Sequence, residues 1–250
     1  ILCSGEKVID YERLWRIAES RSDEYRAATP FPFVIIDNFL NNDALDVACS
    51  YFPHYDDAKW KSVANPHTVN RVVVGSTPTG KQWPFEVECL FNAMMNAKFL
   101  HFVEKLTGIS GLTSDPYFAE AGYYAMRKGG YLDIHADFSH HDRLGLERRA
   151  NLLLYLNPDW KPEYNGDLVL YDAQLQPAQR IAPLINRCVV FEPSETSYHG
   201  NPEPLAAPDG VMRRAISMWY YSLPTGRPKH RAIFPLDPTF IHYPEATTNV

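Results

Sequence analysis

Gly129-Gly130-Tyr131-Leu132-Asp133-Ile134-His135-Ala136-Asp137 is the stretch from which the rest of the chain can be read. Taken with period two, Leu132 and Ile134 fall on one face of an extended segment, while Asp133, His135 and Asp137 fall on the other. An imidazole and a carboxylate therefore stand side by side on the polar face of a strand whose reverse is apolar. Neutral imidazole and ionised carboxylate are good ligands for a borderline divalent metal such as Fe(II). An isolated His-x-Asp is a weak signal in a chain with 9 His, and a surface His beside a solvated Asp is the plain alternative. The surroundings decide between them.

Those surroundings are β-rich. After Asp115, short runs of β-type residues alternate with turn signals at 117–126, 131–135, 149–156, 168–171, 180–182, 187–191, 197–199 and 213–222. About eight short strands with no intervening helix read as a double-sheet jelly roll or a barrel. The 20 Pro against 13 Gly suit many short strands joined by rigid turns.

Ahead of Asp115 the periodicity is helical. Residues 8–25 carry Tyr11, Leu14, Trp15, Ile17, Ala18 and Tyr25 at helical spacing, with Asp10 as N-cap and Pro30 and Pro32 beyond the end. Residues 33–37 read as a short buried strand, 38–42 as its turn and 43–52 as a second helix. The stretch 53–83 reads as irregular except for a strand at 71–74, and its length makes it either a candidate lid or disordered. The strongest helix is expected as one piece over 84–107, with Pro84 at its first position, Glu86 and Glu88 in its first turn and Gly108 as its stop. The division expected is one domain over 1–250: a helical support layer and candidate lid at 1–115, a catalytic jelly-roll core at 116–223 and an irregular tail at 224–250.

Composition narrows the partners. A net charge of -6 with no Lys/Arg run argues against a nucleic-acid backbone. Cys3, Cys49, Cys89 and Cys188 are scattered, which argues against a disulfide scaffold or structural zinc and leads us to expect a reducing, cytoplasmic setting. No apolar run is long enough to span a membrane, so none is expected as a partner. The chain opens on Ile1, which points to a trimmed start. Its oligomeric state is open.

In a jelly roll, spatial neighbours come from distant strands, so partners for His135 and Asp137 are to be sought late in the chain. His199, in Ser197-Tyr198-His199-Gly200-Asn201-Pro202, is the leading candidate. Two His and one Asp make the facial triad of non-haem Fe(II) oxygenases, which leaves positions open for an α-keto acid and O₂. The adjacent His140, His141 and Asp142 are set aside as solvated or substrate-facing, because a loop holds ligand geometry less well. Arg213 opens the strand 213–220, whose odd residues Arg213, Ala215, Ser217 and Trp219 include two small ones. The even residues Arg214, Ile216, Met218 and Tyr220 are bulkier and suit packing on the helical layer. A guanidinium fork facing inward suits the distal carboxylate of a dicarboxylic keto acid such as 2-oxoglutarate. Tyr155, which shares a face with Asn151 and Leu153, is a second donor to it. Asn151 and Ser217 are expected to join this cosubstrate group, and Trp219, Trp60 and Arg71 to meet substrate. No catalytic residue is expected beyond the metal ligands.

Six stretches in order, G-G-Y-L-D-I-H-A-D, R-R-A-N-L-L-L-Y-L-N, N-G-D-L-V-L-Y-D, N-R-C-V-V-F-E-P, Y-H-G-N-P and R-R-A-I-S-M-W-Y-Y, resemble the Fe(II)- and 2-oxoglutarate-dependent oxygenases, in their prolyl 4-hydroxylase-like branch. The resemblance covers about 122–222, with a looser echo at 31–40. It implies a mainly β fold with N-terminal helices around a double-stranded β-helix, the cupin-like jelly roll. By resemblance His135, Asp137 and His199 match the iron ligands, Arg213 the partner of the distal carboxylate of 2-oxoglutarate, and Tyr155 its hydroxyl partner. The implied reaction uses Fe(II), 2-oxoglutarate and O₂, with ascorbate as a candidate reductant. It releases succinate and CO₂ and hydroxylates an aliphatic C–H of a prolyl or amino-acid-like residue in a peptide, or of a small natural product. Met126 stands where many relatives have Tyr, and Asn165-Gly166 replaces their Gly-Gly, a change expected to alter only a turn. Two alternatives are weighed. A halogenase of this kind lacks the carboxylate ligand, which Asp137 supplies; a non-catalytic jelly-roll binding module would have no need of a full triad plus Arg213.

Overall fold

A computed structural model describes residues 8–63, 66–75, 83–117 and 121–237 of the chain. Among them, helices α1 (Tyr11–Ala27), α2 (Asn42–Ser50), α3 (Phe85–Ala93) and α4 (Ala97–Thr107) pack on a mainly β body. Its strands are β1 (Phe33–Ile36), β2 (Lys61–Ser62), β3 (Thr68–Gly75), β4 (Thr113–Ser114), β5 (Gly122–His135), β6 (Glu147–Tyr155), β7 (Leu168–Tyr171), β8 (Pro177–Ile181), β9 (Arg187–Phe191), β10 (His199–Asn201) and β11 (Arg213–Ser222). They form one antiparallel sheet in the order β1-β9-β6-β11-β5-β10-β7-β8, with β3 also on β5 and β4 on β11. Sheet neighbours are thus distant in the chain, which is the interleaving expected of a jelly roll.

The two faces of β11 do different work. Ile216, Met218 and Tyr220 enter the large core shared with the helices, where Tyr220 stacks on Phe99 at 5.8 Å and donates its hydroxyl to Met94 O at 3.0 Å. Burying side chains of this size contributes about 1.5–3 kcal/mol each. Arg213, Ala215, Ser217 and Trp219 line a cavity on the opposite face. Arg214 lies on the helical side, its guanidinium 5.4 Å from the Phe52 ring.

Three expectations need correcting. The helix expected over 84–107 is two, because Asn96 caps α4: its side chain accepts from Phe99 N at 3.1 Å and donates to Tyr11 Oη at 2.7 Å. A short polar side chain that satisfies a helix start outcompetes continuation of the apolar stripe. Pro84 sits at the N-cap of α3, one residue earlier than expected. The runs 117–126 and 131–135 were to be separate, yet β5 runs unbroken from Gly122 to His135. Gly129 and Gly130 serve a bulge in it: Asn70 alone stands opposite 127–130, since Val69 pairs with Tyr131 and Arg71 with Met126. A Cβ on Gly130 would lie 2.7 Å from Arg127 O, so only glycine fits there. Finally, the stretch 53–83 holds far more strand than expected, with β2 paired to β3 and β3 paired along β5. Its T-P-T-G turn lies outside the described residues.

Shorter shifts concern element ends: β10 is His199–Asn201, β8 is Pro177–Ile181, and a 3₁₀ turn covers Pro162–Tyr164. Cys49, Cys89 and Cys188 are in no disulfide. No described helix is long and apolar enough to cross a membrane.

The Asn96 cap gives a stability test. Asn96→Ala should cost about 1 kcal/mol, the usual worth of such a cap, read as a lower urea midpoint at unchanged slope.

Candidate metal centre

His135 ends β5 and His199 opens β10, and the two are paired directly across the antiparallel ladder. Their rings are 4.4 Å apart between centroids. Each ring is fixed by its backbone: His135 Nδ1 lies 2.9 Å from Asp133 O, and His199 Nδ1 lies 2.9 Å from Ser197 O. A carbonyl can only accept, so both Nδ1 atoms carry the hydrogen and both Nε2 lone pairs are free to ligate. They face Asp137, with His135 Nε2 at 3.6 Å from Oδ1 and His199 Nε2 at 3.5 Å from Oδ2. Among the described residues this is the one His/Cys/Asp/Glu group that can hold a metal ion, its ligand atoms all lying within 4.8 Å of one another. Ligands about 2.1 Å from an ion and at right angles are about 3 Å apart, so small closure fits these donors to a divalent ion.

The protonation states suit that use. Burial pushes the Asp137 carboxyl up, but the Arg148 guanidinium and the two imidazoles outweigh it and hold it well below the ordinary carboxylate range. Asp137 Oδ2 also accepts from Asn151 Nδ2 at 2.7 Å and lies 3.2 Å from Arg148 Nη2. Burial, joined by repulsion from His135, pushes the His199 imidazole down to about 4 against the pull of Asp137. At neutral pH the carboxylate is charged and His199 is neutral.

The same cavity is lined by an arginine paired with a buried tyrosine. Arg213 donates from Nε to Gly166 O at 2.6 Å and from Nη2 to Tyr155 Oη at 3.2 Å. Gly166, the glycine kept in Asn165-Gly166, lies under this arginine. Its φ is +82°, and a Cβ there would lie 3.1 Å from Arg213 Cδ, so a bare glycine lets the arginine lie across it. Tyr155 is fully buried among Phe31, Leu168, Leu170 and Phe191, and burial raises its hydroxyl pKa against the opposing pull of Arg213.

Other expected residues fall out differently. Ser217 and Trp219 line the cavity, and so does Arg71, whose guanidinium lies 4.6 Å from the Tyr124 ring. Asn151 also lines it, but both ends of its amide are engaged, with Asp137 through Nδ2 and with Arg148 Nε through Oδ1 at 2.6 Å. Trp60 is not there: it packs on Phe52 with ring centroids 5.7 Å apart, on the helical side, and donates to His54 O at 2.7 Å. An aromatic in a polar stretch was better explained by this satellite of the core. His140 and His141 are buried within their loop, where His141 Nδ1 accepts from Arg143 N and Leu144 N and its Nε2 lies 3.3 Å from Asp115. Met126 takes a hydrogen bond on sulfur from Asn201 Nδ2 at 3.1 Å.

Sequence reasoning missed Arg148. It is 2% exposed, lies 4.0 Å from the Trp219 ring and 4.5 Å from the Phe138 ring, and lines the cavity. The phase was hidden by a slip: Tyr220 pairs with Ala150 but Tyr221 with Arg148, so Arg149 is the extra residue. Strict alternation back from Asn151 points Arg149 inward; the bulge turns Arg148 inward instead.

Acid should loosen this centre in the metal-free protein. His199 titrates near 4 when folded and at the ordinary 6.5 when unfolded, so the unfolded state binds more protons between those values. The contribution of a neutral His199 is therefore complete above about 6.5 and is lost as pH falls towards 4. Asp137, depressed below 3.8, loses its own contribution at still lower pH. Urea midpoints measured from pH 7 to pH 4.5 should fall steeply in the wild type and less steeply in His199→Asn.

Comparison with known proteins agrees with this geometry. Residues 121–221 match the model of the 2OG-Fe(II) oxygenase superfamily. Prolyl 3-hydroxylase OGFOD1 of Mus musculus is 33% identical over 142 residues, which are 55% of this chain and 24% of that protein. The Xenopus laevis protein of the same name is 36% identical over 86 residues, 32% of this chain and 16% of that one. The chain thus spans about a quarter or less of the length of these curated relatives. Among solved structures, a Trichoplax adhaerens prolyl hydroxylase in complex with a hypoxia inducible factor peptide has a TM-score of 0.58 at 18% identity, covering 85% of this chain and 92% of that one. A Pseudomonas putida prolyl-4-hydroxylase has a TM-score of 0.57 at 17% identity, covering 83% and 100%. At such identities these structures show the shared fold. Residues 121–221 thus resemble the 2OG-Fe(II) oxygenase superfamily, and the described residues share the fold of the prolyl hydroxylases and hold a His-Asp-His group able to take a metal ion.

Proposed function

We propose that the chain hydroxylates an aliphatic C–H of a prolyl or amino-acid-like residue, or of a small natural product, with 2-oxoglutarate and O₂ consumed and succinate and CO₂ released. One observation carries this reading: the His135-Asp137-His199 group and the Arg213–Tyr155 pair line a single cavity. Bound Fe(II), with the oxoacid and O₂, supplies the oxidising power that puts one oxygen atom of O₂ into the substrate and the other into succinate.

The chain's residues do the holding. His135, Asp137 and His199 would hold the iron and leave room for cosubstrates, and Asp137 would take the place that a halide needs. Arg213, its Nε tied to Gly166 O and its Nη2 to Tyr155 Oη, would hold the distal carboxylate of 2-oxoglutarate together with the Tyr155 hydroxyl. Leu153, Leu168, Phe191 and Ala215 line the cavity and pack in one apolar cluster with Tyr155, and would exclude water from the chain of the oxoacid. Trp219 and Arg71 are left to meet substrate.

Charge favours a particular substrate side. The cavity lining holds Arg71, Arg148 and Arg213 against Asp137, and a divalent ion with a dianionic oxoacid adds no net charge. Arg148 is paired with Asp137 and Arg213 serves the cosubstrate, so Arg71 presents a cation to whatever enters. Carbonyl-dense or carboxylate-bearing substrates, such as a peptide or amino acid, suit it. The prolyl hydroxylase names of the relatives support the same choice.

Incubation with Fe(II), 2-oxoglutarate and a panel of prolyl peptides, amino acids and natural products should yield succinate in step with a product heavier by one oxygen atom. A halogenated main product in chloride buffer, or 2-oxoglutarate bound without turnover of any panel member, overturns the reading. Within it, Arg213→Lys should weaken 2-oxoglutarate by about 1.5–3 kcal/mol, the range for hydrogen bonds to charged groups. Arg214→Lys, on the helical side, should change the apparent KM little.

A further inference from the structure

The family match ends at residue 221, yet the segment after it reaches back to the metal ligands. Ala136, the residue between His135 and Asp137, forms an isolated antiparallel bridge with Ile233: Ala136 N donates to Ile233 O at 2.8 Å and Ile233 N to Ala136 O at 2.9 Å. Two residues past Asp137, Ser139 N donates to His230 O at 3.0 Å and Ser139 Oγ accepts from His230 N at 2.8 Å. The next side chain, Phe234, is 3% exposed and stacks on two imidazoles. Its ring is stacked on His67 at 3.9 Å and 17°, and on the ligand His135 at 5.6 Å and 22°. His67 is itself held through Nδ1, 3.1 Å from Asp133 Oδ2, and its Nε2 lies 3.4 Å from Asp237 Oδ2.

We propose that Phe234 is a positioning residue for the metal: its ring, backed by His67, sets the plane of the His135 imidazole while the Ala136–Ile233 bridge holds the turn carrying His135 and Asp137. The hydrogen bond from His135 Nδ1 to Asp133 O fixes one edge of that ring but leaves it able to rock about the bond. A flat neighbour nearly parallel to its face removes that freedom. The inference rests on the metal reading of His135, Asp137 and His199. Losing outer partners of metal ligands typically lowers metal affinity about 10–100-fold, and the loss here should fall at the low end because the contact is apolar.

Calorimetric titration with Co(II), together with the visible ligand-field spectrum of the Co(II) form, tests it without reference to turnover. Phe234→Leu keeps apolar bulk and removes the flat face; it should weaken Co(II) about tenfold and alter the spectrum. Phe234→Tyr should restore both, which a residue that only fills space would not require. Unchanged affinity and spectrum in Phe234→Leu overturn the proposal. If that variant does not fold, His67→Leu decides: it leaves Phe234 in place without its backing, and a smaller loss in the same direction is expected, whereas no loss overturns the stack. Failure of the wild type itself to bind Co(II) or Fe(II) would remove the metal reading first, and the two failures are told apart by that control.

Discussion

Everything at the centre depends on two strands meeting in one register, with His135 of β5 facing His199 of β10. Side chains directly opposite across an antiparallel pair are the closest neighbours a sheet offers. A slip of one residue would send one imidazole to the other face. The close approach is permitted by Gly200, the residue after the ligand. A Cβ there would sit 2.8 Å from Asp133 O and 2.9 Å from Leu132 O, distances no methyl group tolerates. The glycine of Tyr198-His199-Gly200-Asn201 is therefore a condition for the ligand before it. The same crowding explains why Asp133 O is available to His135 Nδ1: the backbone is turned towards the ring it fixes.

Once the imidazoles are placed, the carboxylate must remain ionised in a poorly hydrated site. An isolated buried carboxylate would take up a proton. Arg148 prevents this. Its guanidinium lies in the corner formed by the Phe138 and Trp219 rings, is shared between Asp137 and Asn151, and is hardly exposed. The ligand thus has its counter-ion before any metal arrives, and the loaded cavity need not change its net charge. This separates the roles of the arginines around the cavity. Arg148 keeps Asp137 ionised, Arg213 is tied to Gly166 and Tyr155, and Arg71 lies against the Tyr124 ring, with Asp137 the one carboxylate among the described residues of the cavity lining.

Strand β11 ties this chemistry to stability. Its even residues bury themselves among α3, α4 and the rest of the helical core, while its odd residues floor the cavity. Packing that stabilises the fold therefore also sets the height and tilt of Arg213, Ser217 and Trp219. This reading of the strand was available from the sequence, because the contrast between small odd residues and bulky even ones is local. So were the sheet-rich second half, the helical first half, the cap at Asp10, the stop at Gly108 and the H-x-D…H pattern. Each is a signal contained in a few adjacent residues.

What was not legible came from contacts or irregularities that alternation cannot express. Asn96 breaks a helix whose apolar stripe runs on, because its capping bond outweighs continuity. Gly129-Gly130 reads as a turn and is a bulge, since β3 and the far side of β5 supply partners that local sequence does not name. The single extra residue at Arg149 reverses the phase at the start of β6 and brings Arg148, not its neighbour, to Asp137. Phe234 lies 99 residues beyond His135 in a segment without regular structure, so nothing near it announces that it faces a ligand. These cases share a cause. The ligands themselves are read from the strand pattern, but the groups that hold their charge and orientation enter where the pattern is broken, by a bulge or by an irregular tail. A search for supporting residues in such a sheet should therefore begin at its bulges and at the segments that bridge to its ligand-bearing turns.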